Sequence, residues 1–425
     1  MANSAQHRSW SFNLSFRSAT SALAIAIVFA LMVATTQSAK AQTFQVIHNF
    51  TGGQDGANPF AGLTMDKAGN LYGTAARGGL RYGTIYELKR KGSGWVFNIL
   101  HSLNGASDGG YPTAGVIFGP DGALYGTTTL NTLGGHGTVF KLKPSPSACV
   151  TSVCPWIATV LYTFKGSADG DVPGYGALIF DQMGNIYGTT QGGGSGGEGI
   201  VYMLTPSSNG PWTKTVLHDF PGYPDGAVPL GGIIFDNAGD LYSTTQFGGS
   251  ANSGTVFQLT YSSGSGWTEN IIDNFQNGSD GGNPAAGLIS DQAGNLYGTT
   301  TNAGQNGGGT VFELSPSGGG WTYTVLYSFT GVKGKECGPW GTLTLDGAGN
   351  PYGTTRCDGA NNAGSVFKLT PSGGGWTSTS LHDFTGGSDG GNPYGNVILD
   401  ASGNLYGTAS MGGSQGDGVV WEITP

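Results

Sequence analysis

Short apolar runs separated by glycine-rich polar stretches recur along the chain at a nearly constant interval. The most regular run is Leu-Tyr-Gly-Thr or a close variant, and its tyrosines are spaced 53, 62, 55, 55, 55 and 54 residues apart. A fixed period of this length indicates one supersecondary unit that is used seven times. The copies are Leu71–Thr74, Leu124–Thr127, Ile186–Thr189, Leu241–Thr244, Leu296–Thr299, Pro351–Thr354 and Leu405–Thr408.

Each unit contains four short runs with the pattern of strands. The first, Ile233–Phe235 in the fourth unit, has three adjacent apolar residues, which predicts a strand buried on both faces. An Asp-x-x-Gly-Asn turn such as Asp66–Asn70 then predicts a hairpin into the Leu-Tyr-Gly-Thr strand. The third run, Gly254–Leu259, alternates, so one of its faces is predicted to be less deeply buried. The fourth opens with a tryptophan and closes with a phenylalanine eight residues later, as in Trp267 and Phe275.

Six of the nine tryptophans occupy this one repeat position, which predicts packing between units because a ligand cage does not need a copy in every unit.

Seven units of four antiparallel strands predict an all-β fold, a seven-bladed β-propeller, with a linear solenoid as the competing solution. The ends of the repeat region favour the propeller. Thr43–Phe50 has the pattern of a fourth strand, whereas the last unit ends after its third strand, Val419–Ile423. Pairing of these two segments would close the ring and leave no open sheet edge.

The first 41 residues lack the repeat and predict a signal peptide. Arg8 and Arg17 precede an apolar run from Ala22 to Ala34, and Ala39–Ala41 matches a cleavage site. An uncleaved anchor is the alternative, although the run is shorter than the ~20 residues that a span needs. No second apolar segment follows. We therefore expect a secreted protein, extracellular or periplasmic, with no membrane attachment after cleavage and one propeller domain over residues 42–425.

Composition and charge narrow the classes of partner. The 80 glycines follow no Gly-X-Y period, and charged residues make up only 10% of the chain, so collagen and long helices are excluded. Without the predicted signal peptide the chain has 14 basic and 26 acidic residues, a net charge of −12. This balance argues against nucleic acid and anionic membranes as partners. We expect a monomer.

The motifs resemble the Gloeobacter/Verrucomicrobia (GloVer-type) tandem repeat of exported bacterial proteins. Asp291–Thr300 and Gly309–Leu314 carry the two motifs of the resemblance, which covers essentially all of residues 43–425. It implies export and a repeat-built β fold, but no established activity and no catalytic residues. The family often carries a C-terminal anchor, for which this sequence has no segment.

An aspartate precedes a proline by four residues in the loop between the fourth strand of one unit and the first strand of the next. In the sixth unit Lys335 replaces the aspartate, and Pro339 is retained. One hypothesis is an acidic ring near the channel mouth that binds a cation such as Ca²⁺ or a polyhydroxy ligand; no other cofactor and no other metal site is predicted. The alternative is that each aspartate caps a local turn. The six residues are Asp55, Asp108, Asp169, Asp225, Asp280 and Asp389.

The four cysteines of an exported chain are expected to form disulfides. Cys337 lies in a fourth-to-first loop and Cys357 in a second-to-third loop of the sixth unit, so a propeller places both on one face and predicts a bond between them. Cys149 and Cys154 share an insertion and are predicted to form the second bond. Their spacing is not that of a zinc knuckle.

Catalytic motifs are missing from the sequence. No Ser-His-Asp, His-Glu-x-x-His or phosphate-loop pattern occurs, and Glu198 and Glu336 are irregular loop acids that do not make a convincing carboxylate pair. His136 alone departs from the repeat, whereas the other repeat-region histidines stand two residues before the end of a fourth strand and are interpreted as structural. These are His48, His101, His218 and His382.

The favoured function is a secreted, non-catalytic binding or scaffolding module for an extracellular polysaccharide or protein. The alternative is a propeller enzyme acting on a carbohydrate or lactone, with its site on the Asp-Gly-x-x-Pro face. A structural surface-layer component is a third hypothesis. Unrepeated polar residues converging at one channel mouth would indicate an enzyme, and seven equivalent loop sets would indicate a scaffold. The sequence has mostly the latter.

Overall fold

The computed structural model describes residues 42–130, 135–145, 156–207, 211–331 and 335–425. These residues form seven four-stranded antiparallel sheets, so the predicted seven-bladed β-propeller is confirmed. The helical content of the described residues is one short 3₁₀ turn, Ser167–Asp169. None of their helices is long and apolar enough to cross a membrane. The predicted signal peptide and the predicted Cys149–Cys154 bond lie outside the described residues.

The blades are numbered in chain order, and their strands are given from the innermost to the outermost. Blades one to three comprise Thr64–Met65, Leu71–Ala75, Thr84–Lys91 and Gly94–Ser102; Ile117–Phe118, Leu124–Thr128, Thr138–Pro144 and Trp156–Thr163; and Ile179–Phe180, Ile186–Thr190, Ile200–Thr205 and Thr213–Asp219. Blades four to six comprise Ile234–Phe235, Leu241–Thr245, Thr255–Ser262 and Gly266–Asn274; Ile289–Ser290, Leu296–Thr300, Gly307–Ser317 and Gly320–Thr330; and Thr344–Leu345, Pro351–Thr355, Ser365–Ser372 and Gly375–Asp383. Blade seven comprises Ile398–Leu399, Leu405–Ala409, Val419–Thr424 and Thr43–Asn49, and a small ribbon pairs Gly226–Ala227 with Phe247–Gly248.

Blade seven is built from both ends of the described chain. Its outermost strand, Thr43–Asn49, pairs antiparallel with Val419–Thr424, with a bulge between Val46 and His48. The same bulge position recurs in the outer pairs of the other blades. Blade seven also contacts blade one, since Thr408 Oγ1 donates a hydrogen bond to the Ala61 carbonyl at 2.7 Å.

The innermost strands differ from the prediction. Each has two residues, and Ile234 and Phe235 of blade four are only half-buried, whereas Ile233 just before them is buried. The prediction of burial on both faces is wrong for these strands because they are the innermost of each sheet, and Ile234 and its equivalents in blades one, two, three and five border a central cavity.

The hydrophobic core lies between neighbouring sheets. Phe257 and Leu259 of blade four pack with residues of blade three, while Val256 on the other face of the same strand packs with Leu288 and Phe312 of blade five. Val256 is fully buried. The predicted difference in burial between the two faces is therefore wrong for the valine, because a blade has a neighbour on each side.

The Leu-Tyr-Gly-Thr motif recurs because each of its polar positions makes a specific contact. In blade one the Tyr72 hydroxyl donates to the Asp66 carboxylate at 3.1 Å, and Thr74 Oγ1 donates to the Ala114 carbonyl of blade two at 2.9 Å. Gly73 leaves room for Tyr86, whose hydroxyl would lie 2.4 Å from a Cβ there. The threonine bond to the next blade also joins Thr189 to Gly231, Thr244 to Ala286 and Thr354 to Gly395.

The repeated tryptophans pack between blades, as their position predicts. Trp95 of blade one meets Tyr406 of blade seven edge-on, with ring centroids 5.7 Å apart, and Trp321 of blade five meets Tyr242 of blade four at 5.9 Å. The other four pack against the clusters that contain the motif tyrosine of the preceding blade; they are Trp156, Trp212, Trp267 and Trp376.

Candidate functional site

The loop aspartates cap local turns. Five of the six accept a hydrogen bond from the backbone N–H of the residue four positions earlier, at distances from 2.6 to 3.0 Å. Asp225 instead accepts from the N–H of Gly226 at 2.6 Å. Since a carboxylate has further lone pairs, this geometry does not test the proposed ligand role, which stays a prediction.

The aspartates lie at the contacts between blades, which we call seams, and none of the six is among the described residues that line the central cavity. At a seam three positions meet: the residue two before the phenylalanine or leucine that closes the fourth run of a repeat, the loop aspartate, and the residue two after the tryptophan in the next outer strand. We call these three a seam triad. His101 and Asp108, joined at 2.8 Å, form one such triad with Ala158 of blade two.

The seam triads share a backbone arrangement but differ in chemistry. Phe97 stacks on His48 with ring centroids 3.8 Å apart. In another triad Lys214 Nζ pairs with Asp169 Oδ1 at 2.7 Å. The seam between blades three and four is the one where a glutamate, Glu269, occupies the third position. The residues at this position are Phe97, Ala158, Lys214, Glu269, Tyr323, Ser378 and, in blade seven, Phe44.

One triad makes stability depend on pH. Burial raises the pKa of Asp273 to about 6, and the negative charge of Asp280 adds to the rise. Tyr323 is the third titratable group of this triad. A carboxyl whose pKa is raised on folding contributes stability below its unfolded pKa and loses it as pH rises through the folded pKa. We expect Asp273→Asn to melt about 2 °C above the wild type at pH 8 and equally with it at pH 4.

Thermal unfolding by circular dichroism at the two pH values measures this difference. Asp291→Asn is the matched control: burial raises the pKa of Asp291, but hydrogen bonds from Asn295, Tyr297 and Ala293 together outweigh it and lower the pKa, so that variant should lose stability at pH 8. A melting temperature of Asp273→Asn at or below that of the wild type at pH 8 would contradict the prediction.

A cavity of about 560 Å³ lies at the propeller axis and is lined by all seven blades. Its volume is in the usual range of a small-molecule site. The loop that carries each aspartate continues through its proline into this wall. The residue after the proline, or the second after it in blade three, differs from blade to blade: Phe60, Thr113, Tyr175, Leu230, Ala285, Trp340 and Tyr394.

Aromatic side chains gather on one side of the cavity. The ring centroids of Phe60 and Tyr394 are 5.4 Å apart, and those of Trp340 and Tyr394 are 5.5 Å apart. The Arg356 guanidinium lies 5.6 Å from the Trp340 ring and 5.2 Å from the Tyr394 ring. We call Phe60, Trp340, Arg356 and Tyr394, together with Tyr175, the cavity cluster. The residues of the cavity cluster are not the ones that most other blades have at the same repeat positions.

The electrostatics of the cavity cluster favour hydrogen bonding to a ligand. Burial raises the pKa of Tyr394, Tyr175 and Glu336 add to the rise, and Arg356 opposes it, so the hydroxyl stays a donor at neutral pH. Arg356 Nε is buried and has no hydrogen-bond partner among the described residues. Tyr175 is 48% exposed, so the cluster is open to solvent at its side.

Two loops of blade six hold the cavity cluster in place. The predicted disulfide is confirmed: Cys337 and Cys357 are bonded, and they join the loop before Trp340 to the loop that carries Arg356. The backbone N–H of Arg356 donates to the Gly338 carbonyl at 3.1 Å. Trp340 Nε1 donates to the Glu336 carbonyl at 3.1 Å, which orients the indole.

The remaining sequence candidates lie apart from one another or have ordinary contacts. His136 pairs with Asp171 at 3.0 Å. The Glu198 carbonyl accepts from the N–H of Val228, and Glu336 lies near Tyr394. Sequence reasoning missed the cavity cluster. The sequence feature that could have pointed to it is the residue after each proline, whose side chain varies in size and polarity while the residues around it repeat.

The sequence profile described as the Gloeobacter/Verrucomicrobia repeat matches this chain three times, over residues 28–237, 149–269 and 234–425. No curated protein matches it. One similar solved structure is the extracellular domain of a candidate one-component system of B. thetaiotaomicron, 13% identical with a TM-score of 0.50, over 89% of this chain and 40% of that chain.

Two further solved structures are similar. PorZ, an essential surface component of the type-IX secretion system of Porphyromonas gingivalis, is 13% identical with a TM-score of 0.48, over 86% of this chain and 46% of that chain. A gluconolactonase of Xanthomonas campestris is 11% identical with a TM-score of 0.41, over 91% and 90%. At these identities the likeness is one of fold alone.

Proposed function

This chain belongs to the Gloeobacter/Verrucomicrobia repeat family, and on that premise we propose that it is an exported, non-catalytic binding module whose cavity cluster takes a sugar unit of an extracellular polysaccharide. The observation that carries the proposal is the gathering of four aromatic side chains, Phe60, Tyr175, Trp340 and Tyr394, in the cavity wall, with Arg356 packed against the rings of Trp340 and Tyr394. Export is supported by the predicted signal peptide and by the Cys337–Cys357 disulfide, since such bonds persist in oxidising compartments.

The side chains of the cavity cluster suit a sugar. The apolar faces of a pyranose ring can stack on Trp340 or Tyr394, as apolar groups do on aromatic rings. Its hydroxyl groups need donors and acceptors; the Tyr394 side chain in the cavity wall offers a hydroxyl, and the Arg356 guanidinium, another donor, lies 5.2 Å from the Tyr394 ring. An apolar pocket with few convergent polar groups is the usual form of a small-ligand site.

The sequence also predicted a scaffold with seven nearly equivalent loop sets. The Asp-x-x-Gly-Asn turns and the backbone of the seams repeat in this way, but the residues after the prolines do not. We therefore place specificity at the cavity cluster and assign the repeated parts to the support of the fold. A catalytic role would require a positioned acid–base or nucleophilic group at the cavity, and Glu336 is the carboxylate to examine in that case.

The test is a glycan array with the purified exported protein, followed by calorimetry with the best ligand. We expect Trp340→Ala and Arg356→Ala to weaken binding at least about tenfold, or about 1.4 kcal/mol, because each removes a contact to the sugar. Tyr261→Ala is the matched control, since Tyr261 is an exposed aromatic residue on the outer part of blade four and should not change affinity.

Several outcomes would reject the proposal. Equal affinity of Trp340→Ala and the wild type would place the ligand elsewhere. Binding of no glycan by a folded protein would favour a protein ligand. Turnover of a bound glycan or of a lactone, lost in Glu336→Gln, would support the alternative of a propeller enzyme.

A further inference from the structure

The seam triad between blades three and four brings together three side chains that commonly bind metals. His218 Nε2 lies 3.4 Å from Asp225 Oδ2 and 3.5 Å from Glu269 Oε2. One ligand atom from each of the three residues lies within 4.8 Å of the other two. The side chains are 18%, 19% and 11% exposed, so the group is mostly enclosed by the two blades.

Hydrogen bonds within the protein leave some atoms of this arrangement without a partner. Distances of 3.4 and 3.5 Å exceed those of good N–H···O bonds, whereas the equivalent pairs lie 2.8 Å apart for His101 and Asp108 and 3.3 Å apart for His48 and Asp55. His218 Nε2 and Glu269 Oε1 are buried and have no hydrogen-bond partner among the described residues; His48 Nε2 shares this state, so the unpartnered carboxylate oxygen is what sets this triad apart. A buried polar atom without a partner lowers the stability of the fold unless a ligand, an ion or a water molecule binds to it.

The two distances from His218 Nε2 match those between ligands that share a metal ion. Nitrogen and oxygen ligands lie about 2.0–2.2 Å from a tetrahedral Zn²⁺, which places two such ligands about 3.3–3.5 Å apart. One imidazole and two carboxylates are a donor set that Zn²⁺ accepts, whereas Ca²⁺ takes six to eight oxygen ligands. The second oxygen of Asp225 is already held by the N–H of Gly226, which orients its carboxylate.

We propose that His218, Asp225 and Glu269 bind one divalent transition-metal ion, best matched by Zn²⁺, and that this ion clamps blade three to blade four. A positive ion would also balance the two acidic side chains, Asp225 and Glu269, that meet in this enclosed seam. Three protein ligands leave the fourth position of a tetrahedral ion for water.

The other seams explain why one site is expected. Three of them also contain a histidine and an aspartate, but the third position is Phe97, Ala158 or Phe44, none of which is a ligand. Among the described residues no other group of three His, Cys, Asp or Glu side chains lies close enough to hold an ion. The inference does not depend on the ligand of the cavity cluster.

The test uses the full purified protein, stripped with EDTA and titrated with Zn²⁺ by calorimetry. We expect one equivalent of Zn²⁺ per chain, a melting temperature raised by at least about 2 °C in excess Zn²⁺, and visible absorption typical of four-coordinate Co²⁺ when Co²⁺ replaces Zn²⁺. Glu269→Gln and His218→Ala should weaken Zn²⁺ binding at least about 100-fold, because each removes a direct ligand.

His101→Ala is the matched control, since it removes the histidine of an equivalent triad and should retain one equivalent with unchanged affinity. The proposal is overturned if the wild type binds no Zn²⁺, if Ca²⁺ binds in its place, or if His101→Ala loses the ion. It is also overturned if Glu269→Gln lowers the melting temperature of the metal-free protein while its Zn²⁺ affinity stays the same, because that result would indicate a purely structural glutamate.

Discussion

Phe50→Ala lowers the free energy of unfolding by about 3–5 kcal/mol, the usual cost of removing a fully buried phenylalanine side chain. Phe50 follows the strand Thr43–Asn49 and is 0% exposed. Its ring lies 5.3 Å from that of Tyr86 and 5.9 Å from that of Phe97, both in blade one. The side chain thus fills the core between the composite blade seven and blade one, and alanine would leave a cavity there.

Urea unfolding followed by circular dichroism and tryptophan fluorescence measures this loss. Phe50→Leu is the control, because Leu103 occupies the equivalent position after the outer strand of blade one and is also 0% exposed. We expect the leucine variant to lose less than about 1.5 kcal/mol. If the alanine variant loses no more than the leucine variant, the first strand does not hold blade seven against blade one.

Gly407→Ser is expected to cost about 1–3 kcal/mol through overpacking. A Cβ at Gly407 would lie 2.3 Å from Cζ2 of Trp421, its cross-strand partner, and Trp421 is fully buried. Blade four accommodates this serine naturally: Ser243 faces Phe257, and its hydroxyl donates to the Gly232 carbonyl at 2.9 Å. Blade four thus pairs a serine with a phenylalanine where blade seven pairs a glycine with a tryptophan.

The double variant Gly407→Ser/Trp421→Phe should therefore regain stability, because it recreates the pair found in blade four. A double-mutant cycle with both single variants, measured by urea unfolding, isolates the coupling, which should be about 0.5–3 kcal/mol in favour of the pair. Strictly additive effects would show that the glycine is not required by the indole.

The repeat made most of the fold predictable. The Tyr72 hydroxyl, the Thr74 hydroxyl and the Gly73 backbone each have a contact that recurs in other blades, so local sequence and tertiary role coincide. The disulfide between Cys337 and Cys357 followed from the same topology. Where the prediction was wrong, as for Ile234 and Val256, the cause was the propeller axis on one side of a blade and a neighbouring blade on the other.

The candidate sites were less predictable because their members meet only across blades. Trp340 and Tyr394 are 54 residues apart in the chain and touch at the axis, where no local pattern relates them. His218 and Glu269 belong to two outer strands, and only the register of neighbouring blades brings them together. The ligand role of the acidic loops and the Cys149–Cys154 bond stay predictions.

The variety of the seam triads has a consequence for how such a protein can be rearranged by recombination. If a second copy of blade four followed blade one, its Glu269 equivalent would face His101 and Asp108 instead of His218 and Asp225. A copy of blade three there would bring a lysine, and a copy of blade one a phenylalanine. Although the repeats look interchangeable along the chain, each blade therefore carries a side chain suited to its own predecessor, and this favours one blade order over the others.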